Sequence, residues 1–224
     1  MNQFKSSWQY TFTNWKFFLM LALPVIAMDS LTNYLVMPLG EMTQPEDFVE
    51  FFESNSLIIA LVGIVGLIMQ ISFVGGLWIG FMSIDRGKTI NPISALQAGF
   101  FKFLPLFGAH LVIFIVSALG FLMLILPGIY LMARFSLFAA QIMFEDNKVF
   151  ESIGASWEKT DEYGSKLFMF TLVFFLLIIS SALLLSSIIP TGIIQTVILS
   201  LIEYIFVVPL GYIYFTLYKS IKAN

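Results

Sequence analysis

The chain has 224 residues, of which 59% are hydrophobic and only 11% charged, with 25 Phe, one His and no Cys. A soluble domain carries roughly a quarter of its residues as charged side chains, so this chain cannot cover itself in water, and a mean hydropathy of +0.93 points to lipid as its solvent. The absence of Cys excludes disulfides, thiolate catalysis and Cys-ligated metals. A single His cannot build a His-rich metal site, and a net charge of -3 with a sequence pI near 5.1 gives no reason to expect nucleic-acid binding.

A helix that crosses the hydrocarbon core needs about 20 mostly apolar residues, and six stretches meet that need. The first covers residues 15–39 and is interrupted by Asp29, Ser30, Thr32 and Asn33. Lys5 and Lys16 ahead of its apolar run invite a rival reading as a secretory signal peptide. The long leader and the lack of a small-x-small cleavage site speak against that. The second span, 56–83, carries Gly63, Gly66, Gly75, Gly76 and Gly80, which let a neighbouring helix approach closely. The third, 103–126, is expected to end in a helix break and tight turn at Pro127-Gly128. The fourth covers 129–144 and the fifth 166–189; Pro190-Thr191-Gly192 forms a second turn before the sixth, 193–218.

Orientation follows from the basic residues, which stay cytoplasmic when they lie in short loops. Lys5, Lys16, Arg86, Lys88, Lys102, Lys148, Lys159, Lys166, Lys219 and Lys222 all fall on one side of a six-span arrangement. The other side holds a loop at 40–55 with Glu41, Glu46, Asp47, Glu50 and Glu53 and no Lys or Arg. Both termini are therefore expected in the cytoplasm. The expected fold is all-α: one polytopic transmembrane bundle spanning the whole chain, plus two amphipathic helices at the cytoplasmic interface.

Those two helices sit in the basic loops. In the first, Asn91 is a good cap and Pro92 fits the first helical position; Ile93, Leu96 and Phe100 recur on one face. In the second, Asp146 or Asn147 is the expected cap. Phe150, Ile153, Gly154 and Trp157 form an apolar stripe opposite Glu151, Glu158 and Lys159. Such helices lie in the headgroup plane, either closing the end of the bundle or binding a partner or lipid. Each belongs to a unit that reads span, acidic turn, amphipathic helix, span, Pro/Gly turn, which hints at a parallel internal repeat.

The stretch from Ile125 to Leu137, with Pro127, Gly128 and Arg134, then Glu145-Asp146, then Ser152, Ser156 and Trp157, resembles the YciC-type family of bacterial six-span inner-membrane proteins. It is also similar to the membrane domain fused to some glycerophosphodiester phosphodiesterases. Two positions depart from the pattern: Ala139-Ala140 stand where relatives often have Pro, and Lys159-Thr160-Asp161 replaces a basic-Gly ending. The resemblance implies a location in the bacterial inner membrane and little about activity. The catalysis of the fused phosphodiesterases lies in a soluble domain outside the resemblance.

Three charges fall inside the spans: Asp29, Arg134 and Glu203. A charge at the bilayer centre costs at least about 2.5–3.5 kcal/mol on insertion scales, so such residues face the bundle and find partners. At about 1.5 Å rise per residue the three sit at similar depth, and Arg134 is expected to pair with Glu203 or Asp29. This cluster serves either as a structural clamp or as a proton or substrate site. His110 and Gln70 are secondary candidates, expected to bridge helices by hydrogen bonds, as are Gln141 and Gln195. Tyr204, Tyr212, Tyr214 and Tyr218 suit an interface belt in part.

No nucleotide-binding loop, metalloprotease motif or nucleophile elbow is present, so the chain is expected not to be an enzyme, and no cofactor or metal is expected. The leading expectation is a scaffold or accessory protein in envelope or lipid homeostasis. The alternative is a small transporter or lipid-binding carrier that uses the buried charges. Membrane lipids are the expected partners, and protein partners or a homo-oligomer fit the glycine-bearing faces.

Overall fold

A computed structural model describes residues 2–223, and the described residues form an all-helical bundle. The helices are α1 (Asn2–Thr13), α2 (Trp15–Val36, followed by a 3-10 turn at Met37–Gly40), α3 (Pro45–Asp85), α4 (Pro92–Phe101), α5 (Phe103–Met123), α6 (Ile125–Arg134), α7 (Phe138–Glu145), α8 (Val149–Lys159), α9 (Gly164–Ile188) and α10 (Ile193–Ala223). Six segments are long and apolar enough to cross a membrane: Trp15–Gly40, Pro45–Asp85, Phe103–Met123, Ile125–Glu145, Gly164–Ile188 and Ile193–Ala223. The six-span architecture read from hydropathy is the observed one, and the chain is an integral membrane protein of multi-pass type. Several boundaries differ, each for a local reason.

The acidic segment after the first span is helical. Pro45 occupies the first helical position, where its missing N–H would have no partner, and Glu46 and Asp47 sit in the first turn, where the helix dipole favours negative charge. As a result α3 has 41 residues. At 1.5 Å per residue it is about 60 Å long, twice the hydrocarbon thickness of a bilayer.

Pro127-Gly128 is not the turn. The chain bends three residues earlier, at Leu124 (φ -164°, ψ 157°), and Pro127 lies in the first turn of α6, where helix N–H groups are unpaired in any case. Gly128 instead permits contact with α5: a Cβ on Gly120 would stand 2.9 Å from the Gly128 Cα. The fourth span is also discontinuous. It breaks between Arg134 and Phe138, and α7 then ends at Asp146, a left-handed residue (φ 56°). Asp146 pairs with Lys102 and does not cap α8. Lys148 holds the cap position there, with the Glu151 carboxylate accepting its backbone N–H at 3.0 Å.

The two amphipathic helices exist, and each turns a face of small residues to the bundle. In α4 the buried residues are Ala95 and Gly99, while Ile93 is 65% and Phe101 83% exposed. Gly99 packs against the α3 backbone, and any Cβ there would fall 2.0 Å from the Ser72 carbonyl oxygen. In α8 the buried residues are Ser152 and Ser156, while Phe150 is 76% exposed and Gly154 faces open space. In lipid an outward apolar side chain carries no penalty, so close packing selects small residues for the inner face. Asn91 caps α4 as expected, accepting the Ile93 N–H at 2.9 Å.

The N-terminal helix α1 has no counterpart in the hydropathy reading. It lies over α10, with Tyr10 stacked on Tyr212 at 3.8 Å and Trp8 packed against Phe174 of α9 and Phe206 of α10. The Tyr10 hydroxyl is buried without a hydrogen-bond partner. Burial first, then Tyr212 and Asp85, push its pKa above the ordinary tyrosine range. The core beneath is aromatic, with Phe81 packed against both Phe18 and Phe215.

Candidate functional site

Arg134 is the only charged side chain that the fold buries among the described residues, at 3% exposure. It does not meet Asp29 or Glu203. The break in the fourth span places it beside the last turn of α8 and the first residue of α9, where a Cβ on Gly164 would lie 3.2 Å from the Arg134 Cδ. There Nε donates to Thr160 Oγ1 at 3.1 Å and Nη1 to the Tyr130 hydroxyl at 2.9 Å. Nη2 donates to the Trp157 carbonyl at 2.7 Å and to Asp161 Oδ1 at 2.9 Å. The guanidinium carbon also sits 4.0 Å from the centre of the Trp157 ring. Four of the five N–H donors of the side chain are thus engaged. A cation at the carboxyl end of α8 is further favoured by the helix dipole.

Ser156 and Thr160 complete this clamp. The Ser156 hydroxyl accepts the Leu137 N–H at 3.0 Å and donates to the Arg134 carbonyl at 2.9 Å. Thr160 Oγ1 also lies 2.9 Å from that carbonyl. Backbone groups freed by a helix break inside a membrane protein need such substitutes, and α8 supplies them. Sequence reasoning missed Tyr130, Thr160 and Asp161 as partners of Arg134. The signal was the Lys159-Thr160-Asp161 stretch at the end of α8.

Asp29 forms a separate site. It accepts from Gln70 Nε2 at 2.7 Å and from the Tyr204 hydroxyl at 2.6 Å, tying α2 to α3 and α10. The bridging role expected of Gln70 is the observed one. Asp29 is half-buried, Tyr204 is buried, and Glu203 next to it is exposed on the flank of α10, with no hydrogen bond or ion pair to another described residue. His110 does not bridge helices: it is exposed, makes no hydrogen bond to a described residue, and lies 6.3 Å from the Phe138 ring. Tyrosines of α10 bridge helices. Tyr214 shares a hydrogen bond with Thr171 at 2.7 Å, and Tyr218 donates to Glu145, which also pairs with Lys222. No cluster of three or more metal-ligating side chains occurs among the described residues.

An apolar groove of about 260 Å³ runs between α2 and α10 under α1. Trp8 and Phe12 of α1, Trp15, Ala22 and Ile26 of α2, and Tyr204 of α10 are among its walls.

Fold and sites together define a multi-pass helical membrane protein with one buried cationic clamp and one acidic bridge. No family model, no curated protein and no solved structure matches this chain.

Proposed function

We propose that this chain is a non-enzymatic scaffold or accessory protein of the bacterial inner membrane, with a role in envelope or lipid homeostasis. The observation that carries this reading is the saturation of Arg134. Four of its donors and one ring face are occupied by its own fold, as befits a residue that holds helices rather than one that waits for a solute. Asp29 is likewise held by two donors. The resemblance around residues 125–159 supports the location, and the exposed bulky faces of α4 and α8 support close contact with lipid.

A melting-temperature screen of detergent-purified wild type and Arg134→Ala against small anions and lipids tests the reading. A clamp predicts that the variant melts lower whatever is added, by an amount equivalent to about 3 kcal/mol, since Thr160 and the Trp157 carbonyl lose the donors that tie α6 to α8, and the Tyr130 hydroxyl loses its own. A solute that stabilises wild type but not a folded Arg134→Ala variant would overturn the reading in favour of a carrier.

A further inference from the structure

We infer that the groove between α2 and α10 holds one acyl chain of an anionic phospholipid, whose headgroup is met by Lys5 and Lys16. The site lies apart from the Arg134 clamp, and it makes no use of a partner protein.

The groove has the chemistry of hydrocarbon. Its walls are apolar, and its two hydroxyl groups are turned to the protein: Thr11 donates to the Ser7 carbonyl at 2.9 Å and Tyr204 to Asp29 at 2.6 Å. Neither hydroxyl is left free to hold water, which needs two to four polar partners in such a space. The α2 wall runs from Trp15 to Ile26. Eleven steps at 1.5 Å make it about 16 Å long, close to half of the roughly 30 Å hydrocarbon core. One leaflet's chain therefore fits its length, and a membrane-crossing helix of a partner does not.

The mouth has the chemistry of an anion. Trp8 and Trp15 flank it, and indole rings favour the headgroup level. Lys16 Nζ stands 5.9 Å from the centre of the Trp15 ring. Lys5 precedes Trp8 by three residues and Phe12 by seven, on one face of α1. Lys102, Arg134, Lys219 and Lys222 all have carboxylate partners. Arg86, Lys88, Lys148, Lys159 and Lys166 pair with no carboxylate among the described residues, nor do Lys5 and Lys16, which are exposed and are the two cations on α1 and α2. Two free cations beside a dry, leaflet-length groove complement a phosphate attached to an acyl chain.

Native mass spectrometry of the purified protein, titrated with equal amounts of phosphatidylglycerol and phosphatidylcholine, tests the inference. Wild type is expected to retain one phosphatidylglycerol in preference. The preference should fall about five-fold for each of Lys5→Gln and Lys16→Gln, given the usual attraction of a juxtamembrane lysine to anionic lipid, with chain binding kept. Ala22→Phe fills the groove and should lose both lipids. An unchanged preference in the double lysine variant would overturn the headgroup assignment. Retention of lipid by Ala22→Phe, equal retention of both lipids by wild type, or a lipid-free dimer would overturn the site. Should Ala22→Phe fail to fold, phosphatidylglycerol with brominated chains decides the matter. It should quench the fluorescence of wild type, and quench a Trp8→Phe/Trp15→Phe variant much less; equal quenching of the two would overturn the site.

Discussion

Ser156 bridges the interruption that Arg134 begins, receiving the Leu137 N–H and returning a proton donor to the Arg134 carbonyl. One hydroxyl thereby stands in for a missing helical hydrogen bond, and α8, which carries it, is tied to the fourth span. Ser156→Ala removes the only partner of the Leu137 N–H, because Thr160 still serves the carbonyl. A buried donor left unsatisfied costs about 1–3 kcal/mol. The variant should melt several degrees below wild type in detergent, and unchanged melting would show that water replaces the hydroxyl.

The Arg134–Asp161 ion pair itself should matter little. The Asp161 side chain is 75% exposed, and exposed pairs contribute about 0–1 kcal/mol. Asp161→Asn is expected to melt within a degree or two of wild type, while Arg134→Ala loses far more. A large effect of Asp161→Asn would mean that the region is buried further in the membrane or in an assembly.

Because Asp29 and Arg134 belong to different clusters, their effects should add. Asp29→Ala and Arg134→Ala combined should differ from the sum of the singles by no more than about 0.5 kcal/mol, as is usual for separate sites. Asp29→Ala and Tyr204→Phe share a hydrogen bond of 2.6 Å, so their combination should fall short of the sum. A double-mutant cycle by chemical denaturation distinguishes the two pairs.

Two glycine substitutions should act in opposite directions. Gly99→Ala places a methyl group 2.0 Å from the Ser72 carbonyl oxygen. The α3–α4 seam must open, at a cost on the order of 3 kcal/mol or more. Gly154→Ala meets nothing within 4 Å in a helix interior. It should be neutral or stabilise by up to about 1 kcal/mol. Melting temperatures of the two purified variants check both.

The chain has no Cys, so single cysteines report orientation directly. With both termini in the cytoplasm, Asp47→Cys should react with an impermeant maleimide on intact cells, and Lys88→Cys only after permeabilisation. The reverse pattern would invert the proposed topology.

The six spans were legible because hydropathy over 20 residues depends on composition alone. Which face of α4 or α8 turns inward was not legible from an apolar stripe. That rule assumes water outside, and beside lipid the inner positions went to Ala95, Gly99, Ser152 and Ser156. The Arg134 partnership was misread for a related reason. Equal rise per residue was applied across a span that is broken after Arg134, so depth along the sequence no longer measured depth in the bundle. Neither partner of Asp29 was named from the sequence: Gln70 was expected only to bridge helices, and Tyr204 was hidden among aromatic residues that have several ordinary reasons to be there.

The length of α3 has a mechanical meaning. Its acidic tip and its Gly75–Gly76 seam lie on one continuous helix, without a proline between them, and α4 is keyed into that helix through Gly99. A force applied at Glu50 or Glu53, some 35 Å from the seam at 1.5 Å per residue, meets one continuous helix on its way to α4.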